Sequence, residues 1–380
     1  MDPSSSSRLR SLDGLRGFAA ALVVLGHARL IVVQNFDSPV FQWPVIEQAM
    51  QLIGVLGYRG VWLFFILSGL VLALMMLRSK SFDYTTYLVS RLIRLYLPVW
   101  AAVVLTIVTM LFISRDATGL GPWVEAHPTS YAPWAIASDL TLLDGTTANL
   151  SPLWTLQWEV FFSLLLAVYV ASLRRVPPWV GVVLAITLSV VGNRVGSPIL
   201  VYMSMFAIGT SLAYGWDRVL ELRDRLHKLP KRARVAGLLI AGAAIFALLE
   251  ASPLLGRFHL DPQIMGVIDP LAALIALTAA IVIVATATDP RRFFEARVFQ
   301  WLGMISFSLY LVHEPILLAF VYPTDANPVA IAISLVACFA VAYAFYLAVE
   351  RPSHKLAQKI RRRAALSPAE AESQSEPARA

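Results

Sequence analysis

The chain contains one cysteine, Cys338, in 380 residues, which excludes an intramolecular disulfide and any multi-cysteine metal site. That cysteine lies in the apolar run AISLVACFAVAYAF, where a thiol acts as a small buried hydrophobe rather than as a nucleophile. Charge is scarce too. Asp, Glu, Lys and Arg make up 14% of the residues, against about a quarter in soluble proteins. No Walker motif, HExxH zinc pattern or GxSxG elbow occurs, which argues against an ATP-driven pump, a zinc protease or an α/β-hydrolase. No metal is expected, and no soluble domain of core-forming size is present.

What the sequence has in quantity is apolar surface. Hydrophobic residues make up 58% of the chain and the mean hydropathy is +0.68, as in an integral membrane protein. Apolar runs of the length that crosses hydrocarbon, roughly 16–22 residues, fall near 15–33, 59–77, 97–114, 150–172, 177–192, 198–215, 235–250, 267–287, 300–321 and 328–350. The expected fold is therefore all-α and polytopic, with about ten transmembrane helices. The first run is long, is interrupted by His27 and Arg29, and has no small-residue cleavage site before a soluble domain, so it reads as an uncleaved span.

The net charge of +7 raises the question of nucleic acid, and the positions of the cations answer it. With the N-terminus taken as cytoplasmic, about 26 of the 31 Lys and Arg fall in inner segments. That is the positive-inside asymmetry; it places both termini in the cytoplasm and explains the basic charge without nucleic acid. The long outer segments 34–58 and 115–149 carry Trp, Pro and acidic residues, as interface anchors or as a lid over a site. Residues 1–355 read as one membrane domain. The polar, aperiodic residues 356–380 read as a disordered cytoplasmic tail.

Ionisable groups inside a bilayer are rare and functional by default. In SLDGLRGFAAALVVLGHARL, Arg16 and His27 are eleven apart, within about 20° of three full helical turns. One face therefore carries a cation at the inner end and an imidazole in mid-membrane, with Asp13 near enough to pair with Arg16. At a rise of about 1.5 Å per residue, His27 and His313, entering from inside, and Ser68 and Glu159, entering from outside, fall in one slab. Ser306, Tyr310 and His313 share a face of the ninth span. Blander roles compete with each of these. Ser68 and Ser306 suit helix–helix contacts, Glu159 suits partnership with a cation, and Arg91 and Arg94 suit plain inner flanking. His127, His227, His259 and His354 fall in loops or the tail and carry no signal. For His27 no residue of its own helix offers a partner.

The stretch RLRSLDGLRGFAAALVVLGHA resembles the first-span signature of the membrane-bound acyltransferase family 3, the O-acyltransferases of bacterial polysaccharides, lipopolysaccharides and macrolides. GVWLFFILSGLVLAL, YLVSRLIRLYLPVW, SPLWTLQWEVFF and WLGMISFSLYLVHEPI continue the resemblance in order. The family's basic residue, ten others and a histidine are met by Arg16 and His27. Its Arg-x-x-Arg is met by Arg91 and Arg94, and its aromatic, Ser/Thr, Leu and downstream Glu by Trp154, Thr155, Leu156 and Glu159. Phe307 stands where the family often has Tyr, and Glu314 where an aromatic commonly follows the histidine. Gln157 and Trp158 replace a small residue and Val.

The resemblance implies a multi-pass protein of the bacterial cytoplasmic (inner) membrane. It implies acyl-CoA as co-substrate, acetyl-CoA first, and a glycan or glycoconjugate acceptor, or a macrolide-like small molecule. Arg91 and Arg94, with Arg16, would hold the nucleotide phosphates. His27 would act as general base or as an acyl-accepting nucleophile. Glu159 would orient His27, while Tyr310 or Ser306 would donate to the thioester oxygen, with His313 at the same level. The rival class is a secondary transporter, in which a buried His and Glu relay protons.

Overall fold

A backbone in hydrocarbon can satisfy its own polar groups by forming helices, and helices are what the chain forms. The computed structural model describes residues 9–365 apart from 37–38, 40–42, 117, 144, 252–254 and 256–260, so His259 and Arg257 lie outside the described residues. No strand occurs among those described. The order is α1 (Arg10–Asn35), α2 (Pro44–Leu77) and α3 (Tyr84–Phe112), then the short α4 (Gly121–Glu125) and α5 (Pro133–Thr141). Next come α6 (Leu153–Leu173), α7 (Pro178–Arg194), α8 (Pro198–Tyr214), α9 (Trp216–His227), α10 (Lys231–Leu249) and α11 (Pro262–Thr286). The chain continues through α12 (Thr288–Phe294), α13 (Arg297–Val321), α14 (Pro328–Phe345), a π-helical turn at Tyr346–Glu350, and α15 (Arg351–Ala365). Side-chain caps mark several starts: Asp83, Asp261 and Asn327 each accept from a backbone N–H of α3, α11 and α14, satisfying one orphan donor of the first turn.

All ten apolar segments expected from the sequence are helical, and they differ in length. Among the described residues, eight helices are long and apolar enough to cross a membrane, or nine if α8 and α9, bent by 63° at their junction, count as one span. The exception is α7, whose 17 residues fall short of the threshold length. The expected tail also differs. Residues 356–365 continue α15, held where Ser90 Oγ of α3 donates to Ala357 O at 3.3 Å. Residues 366–380 lie outside the described residues.

Glycine contacts set the packing that matters for the site. A Cβ on Gly17 would lie 2.2 Å from Gly303 N, and one on Gly303 would lie 2.4 Å from Asp13 O. Thus α1 and α13 run backbone against backbone, the close approach that small residues allow in membrane helices. The contact fixes their register. Arg16 of α1 lies against Ser306 of α13, and His27 against His313. One apolar cluster gathers around Phe65, Phe162 and Phe206; a second holds α1, α3, α13 and α14 together.

Candidate active site

His27 Nδ1 lies 2.8 Å from His313 Nε2. His313 Nδ1 in turn faces two backbone carbonyls, Tyr310 O at 2.8 Å and Leu309 O at 3.1 Å. Carbonyls only accept, so Nδ1 of His313 carries the proton and, in the neutral ring, Nε2 accepts. His27 must then donate from Nδ1, which leaves its Nε2 with a free lone pair. No described residue donates to that nitrogen, and His27 lines a cavity of about 780 Å³. The arrangement is an imidazole oriented by a second ring with one nitrogen open to the cavity, a geometry that suits a general base.

Above this pair sits the segment 115–149. Gln34 Oε1 accepts from Trp123 N at 3.0 Å and Asn35 Nδ2 donates to Leu120 O at 3.0 Å, tying α4 to the end of α1. Inside the segment, buried Asp139 accepts from Tyr131 Oη at 2.5 Å and from Thr147 N and Oγ1 at 2.7 Å each. Trp123 stacks on the His27 ring with centroids 5.1 Å apart. The segment is a cap, one of the two roles its composition allowed.

His127, which carried no signal in the sequence, is buried in this cap. Its Nδ1 lies 2.9 Å from Trp123 O, which requires an N–H there. Its Nε2 lies 3.3 Å from Glu314 Oε1, an ion-pair contact short of hydrogen-bond geometry. Facing a carbonyl and a carboxylate, the ring is favoured in its doubly protonated form. Burial disfavours that charge, as does Arg115 more weakly, but the Glu314 carboxylate outweighs them and His127 titrates above its ordinary range. Glu314, wholly buried, also accepts from Ser151 N at 2.6 Å and from Ser151 Oγ. A histidine whose pKa is raised on folding adds stability that is full below about pH 6.5 and fades as pH rises through the folded value. Residues 121–125 should therefore exchange amide hydrogens more readily at pH 9 than at pH 6, after correction for intrinsic rates. His127→Gln should remove that difference; a difference that persists would assign it to another group.

A second cavity, about 130 Å³, holds most of the other predicted residues: Arg16, Arg91, Arg94, Ser68, Glu159 and Ser306. Their pairings differ from expectation. Glu159 does not orient His27. It accepts from Arg91 Nη2 at 2.5 Å and from Ser68 Oγ, because a buried carboxylate is held by the cation within reach. Ser306 is not a free donor, since its hydroxyl donates to Gly303 O at 2.9 Å and accepts from Arg16 Nε at 3.1 Å. Arg16 also reaches Gly303 O at 3.2 Å and Asp13 at 3.9 Å. Of the three arginines, Arg94 alone makes no hydrogen bond or ion pair among the described residues, and its Nε is buried. His354 of α15, another histidine without signal in the sequence, lines this cavity beside Glu350. Glu350 itself accepts from Ser308 N and Oγ at 3.1 and 2.5 Å.

Tyr310 lines both cavities. Its hydroxyl shares a 2.9 Å hydrogen bond with Thr155 Oγ1 of α6. The residues expected in one slab therefore resolve into two groups, His27 with His313 and Ser68 with Glu159, on either side of one phenol.

A family model described as an acyltransferase domain matches residues 9–347. The chain belongs to that acyltransferase family. The match covers α1 to α14, and with them the lining of the larger cavity and all of the smaller one but Glu350 and His354; it decides between the two classes that the sequence left open in favour of transfer over transport. It stops short of α15. The searches of curated proteins and of solved structures gave no match.

Proposed function

We propose that this membrane acyltransferase moves an acyl group, acetyl in the first instance, from cytoplasmic acyl-CoA to a hydroxyl of an extracytoplasmic or exported glycan. The observation that carries the reading is the pair of cavities meeting at Tyr310, one lined by arginines and the other by a histidine with a free lone pair. Small-molecule sites usually occupy about 300–1,000 Å³. The arginine cavity is far smaller, so it admits a slender arm and leaves the nucleotide at its mouth. The unpartnered Arg94 suits a phosphate there, where a charge-assisted hydrogen bond is strong. Arg91, already neutralised by Glu159, and Arg16, bound to Ser306, support the wall.

In the transfer step His27 Nε2 takes the proton of the acceptor hydroxyl. The alkoxide oxygen attacks the thioester carbon, and Tyr310 donates to the oxygen on which charge develops. The C–S bond then breaks, and the proton held on His27 goes to the departing thiolate. His313 holds the His27 ring throughout, with the two carbonyls at its Nδ1 favouring positive charge on the pair. The bacterial cytoplasmic membrane, with both termini inside, is the setting this chemistry needs.

Purified protein in lipid nanodiscs, given radiolabelled acetyl-CoA, should release CoA faster when an acceptor glycan is added and should place the label on the glycan. Label that crosses a vesicle membrane without transfer would refute the reading. Arg94→Ala should raise the KM for acyl-CoA about tenfold, the loss of one charge-assisted contact, with little change in kcat. Arg91→Ala should instead lower the stability of the protein, because it leaves Glu159 buried without its cation.

A further inference from the structure

Arg29 follows His27 by two residues on α1 and lines the same cavity. Side chains two residues apart leave a helix in nearly opposite directions, so His27 meets α13 while the long Arg29 side chain reaches the shared cavity along α2. A cation at this end of α1 runs against the charge asymmetry of the rest of the chain. The other cation of the cavity is accounted for: Arg59 is paired with Asp269, and its guanidinium lies 4.1 Å from the centre of the Trp62 ring. Arg29 is not. It makes no hydrogen bond or ion pair among the described residues, and its Nε is buried. Nor does it reach away freely, since a Cβ at Gly54 would lie 3.0 Å from its Cζ and Nη1. The glycine makes room for the guanidinium against the wall of α2. With Arg59 and Asp269 cancelling, the cavity has one uncompensated cation beside the base. A buried donor without a partner is unfavourable, and an anion entering with the acceptor relieves it.

We propose that Arg29 binds an anionic group, a carboxylate or a phosphate, carried by the acceptor, so that the enzyme takes acidic rather than neutral glycans. The proposal rests on the acyl-transfer reading above. Arg29 recognises the charge, and His27 takes the proton of a hydroxyl elsewhere on the same acceptor. A planar guanidinium favours two-point binding of such an anion.

The test is ligand-induced thermal stabilisation of the detergent-purified protein at constant ionic strength. The probes are glucuronate, its methyl ester, glucose 6-phosphate and glucose, with CoA measured separately. Glucuronate or glucose 6-phosphate should stabilise the wild type at concentrations at least tenfold lower than the ester or glucose, and whichever acid acts identifies the class. Arg29→Gln should abolish this discrimination, and Gly54→Val, which crowds the guanidinium, should weaken it. Both variants should keep the stabilisation by CoA. Equal effects of acid and ester on the wild type, no effect of either acid, or discrimination that survives in Arg29→Gln would overturn the proposal. Absence of stabilisation by CoA in the wild type would count against acyl transfer itself, a result separable from the first three.

Discussion

His27→Ala should abolish acyl transfer, lowering kcat/KM by about a thousandfold or more, the range attributed to a positioned general base, while the protein stays folded in the membrane. Folding should survive because His27 makes one side-chain hydrogen bond, to His313 Nε2, and its loss leaves an acceptor beside a large cavity. Thermal unfolding of the variant in detergent checks the second half of the statement. Activity within tenfold of the wild type would remove His27 from the chemistry. Direct attack also requires that donor alone leave no acyl group on the protein, which intact-protein mass spectrometry reads. His313→Ala should be milder, since the base remains and only its orientation is lost.

The second large effect concerns stability. Glu314→Ala should destabilise the protein by up to about 3–5 kcal/mol, the range for breaking a buried ion pair from one side, because burial then forces His127 to give up its charge and the contact between the cap and α13 is lost. Ser151 loses its acceptor at the same time. Transfer should fall as well, since the freed cap carries Trp123 away from the His27 ring. The double variant Glu314→Leu, His127→Leu should recover much of the stability, because neither member of the pair is then left buried without its partner. If the double variant were no more stable than Glu314→Ala, the pair would not be the cause.

The contrast between these two residues shows what the sequence could disclose. The eleven-residue interval from Arg16 to His27 is a property of one helix, and helical geometry is the same in every protein. Both side chains do meet the same partner helix, α13. Glu314 and His127 are far apart in the chain, on different elements, and nothing local to either names the other. Glu314 was visible only as a departure from the family pattern, and His127 only as a loop residue. Depth along the bilayer normal likewise grouped His27, His313, Ser68 and Glu159, but depth is one coordinate of three. The angular placement of helices around one another, set here by contacts such as Gly17 with Gly303, sent the pairs to different cavities. α15 was missed for a different reason. Its fifteen residues include six Lys and Arg, a composition that reads as a polar tail, while the buried positions Ser353 and Ala357 are too small to mark a core-facing helix by hydrophobicity.

The Gly17–Gly303 contact has a consequence for substrate size. Two helices whose backbones touch cannot slide or rotate past one another without losing that fit, so the heights of Tyr310 and His313 on α13 are fixed against the interval of about 16 Å between Arg16 and His27 along α1. On the proposed function, a donor anchored by its phosphates at Arg94 would present its thioester at one height, whatever acyl group it carries. Selection among acyl groups then falls to the space around Tyr310, and wider replacements at Gly303 should change which donors fit by tilting α13 rather than by touching them.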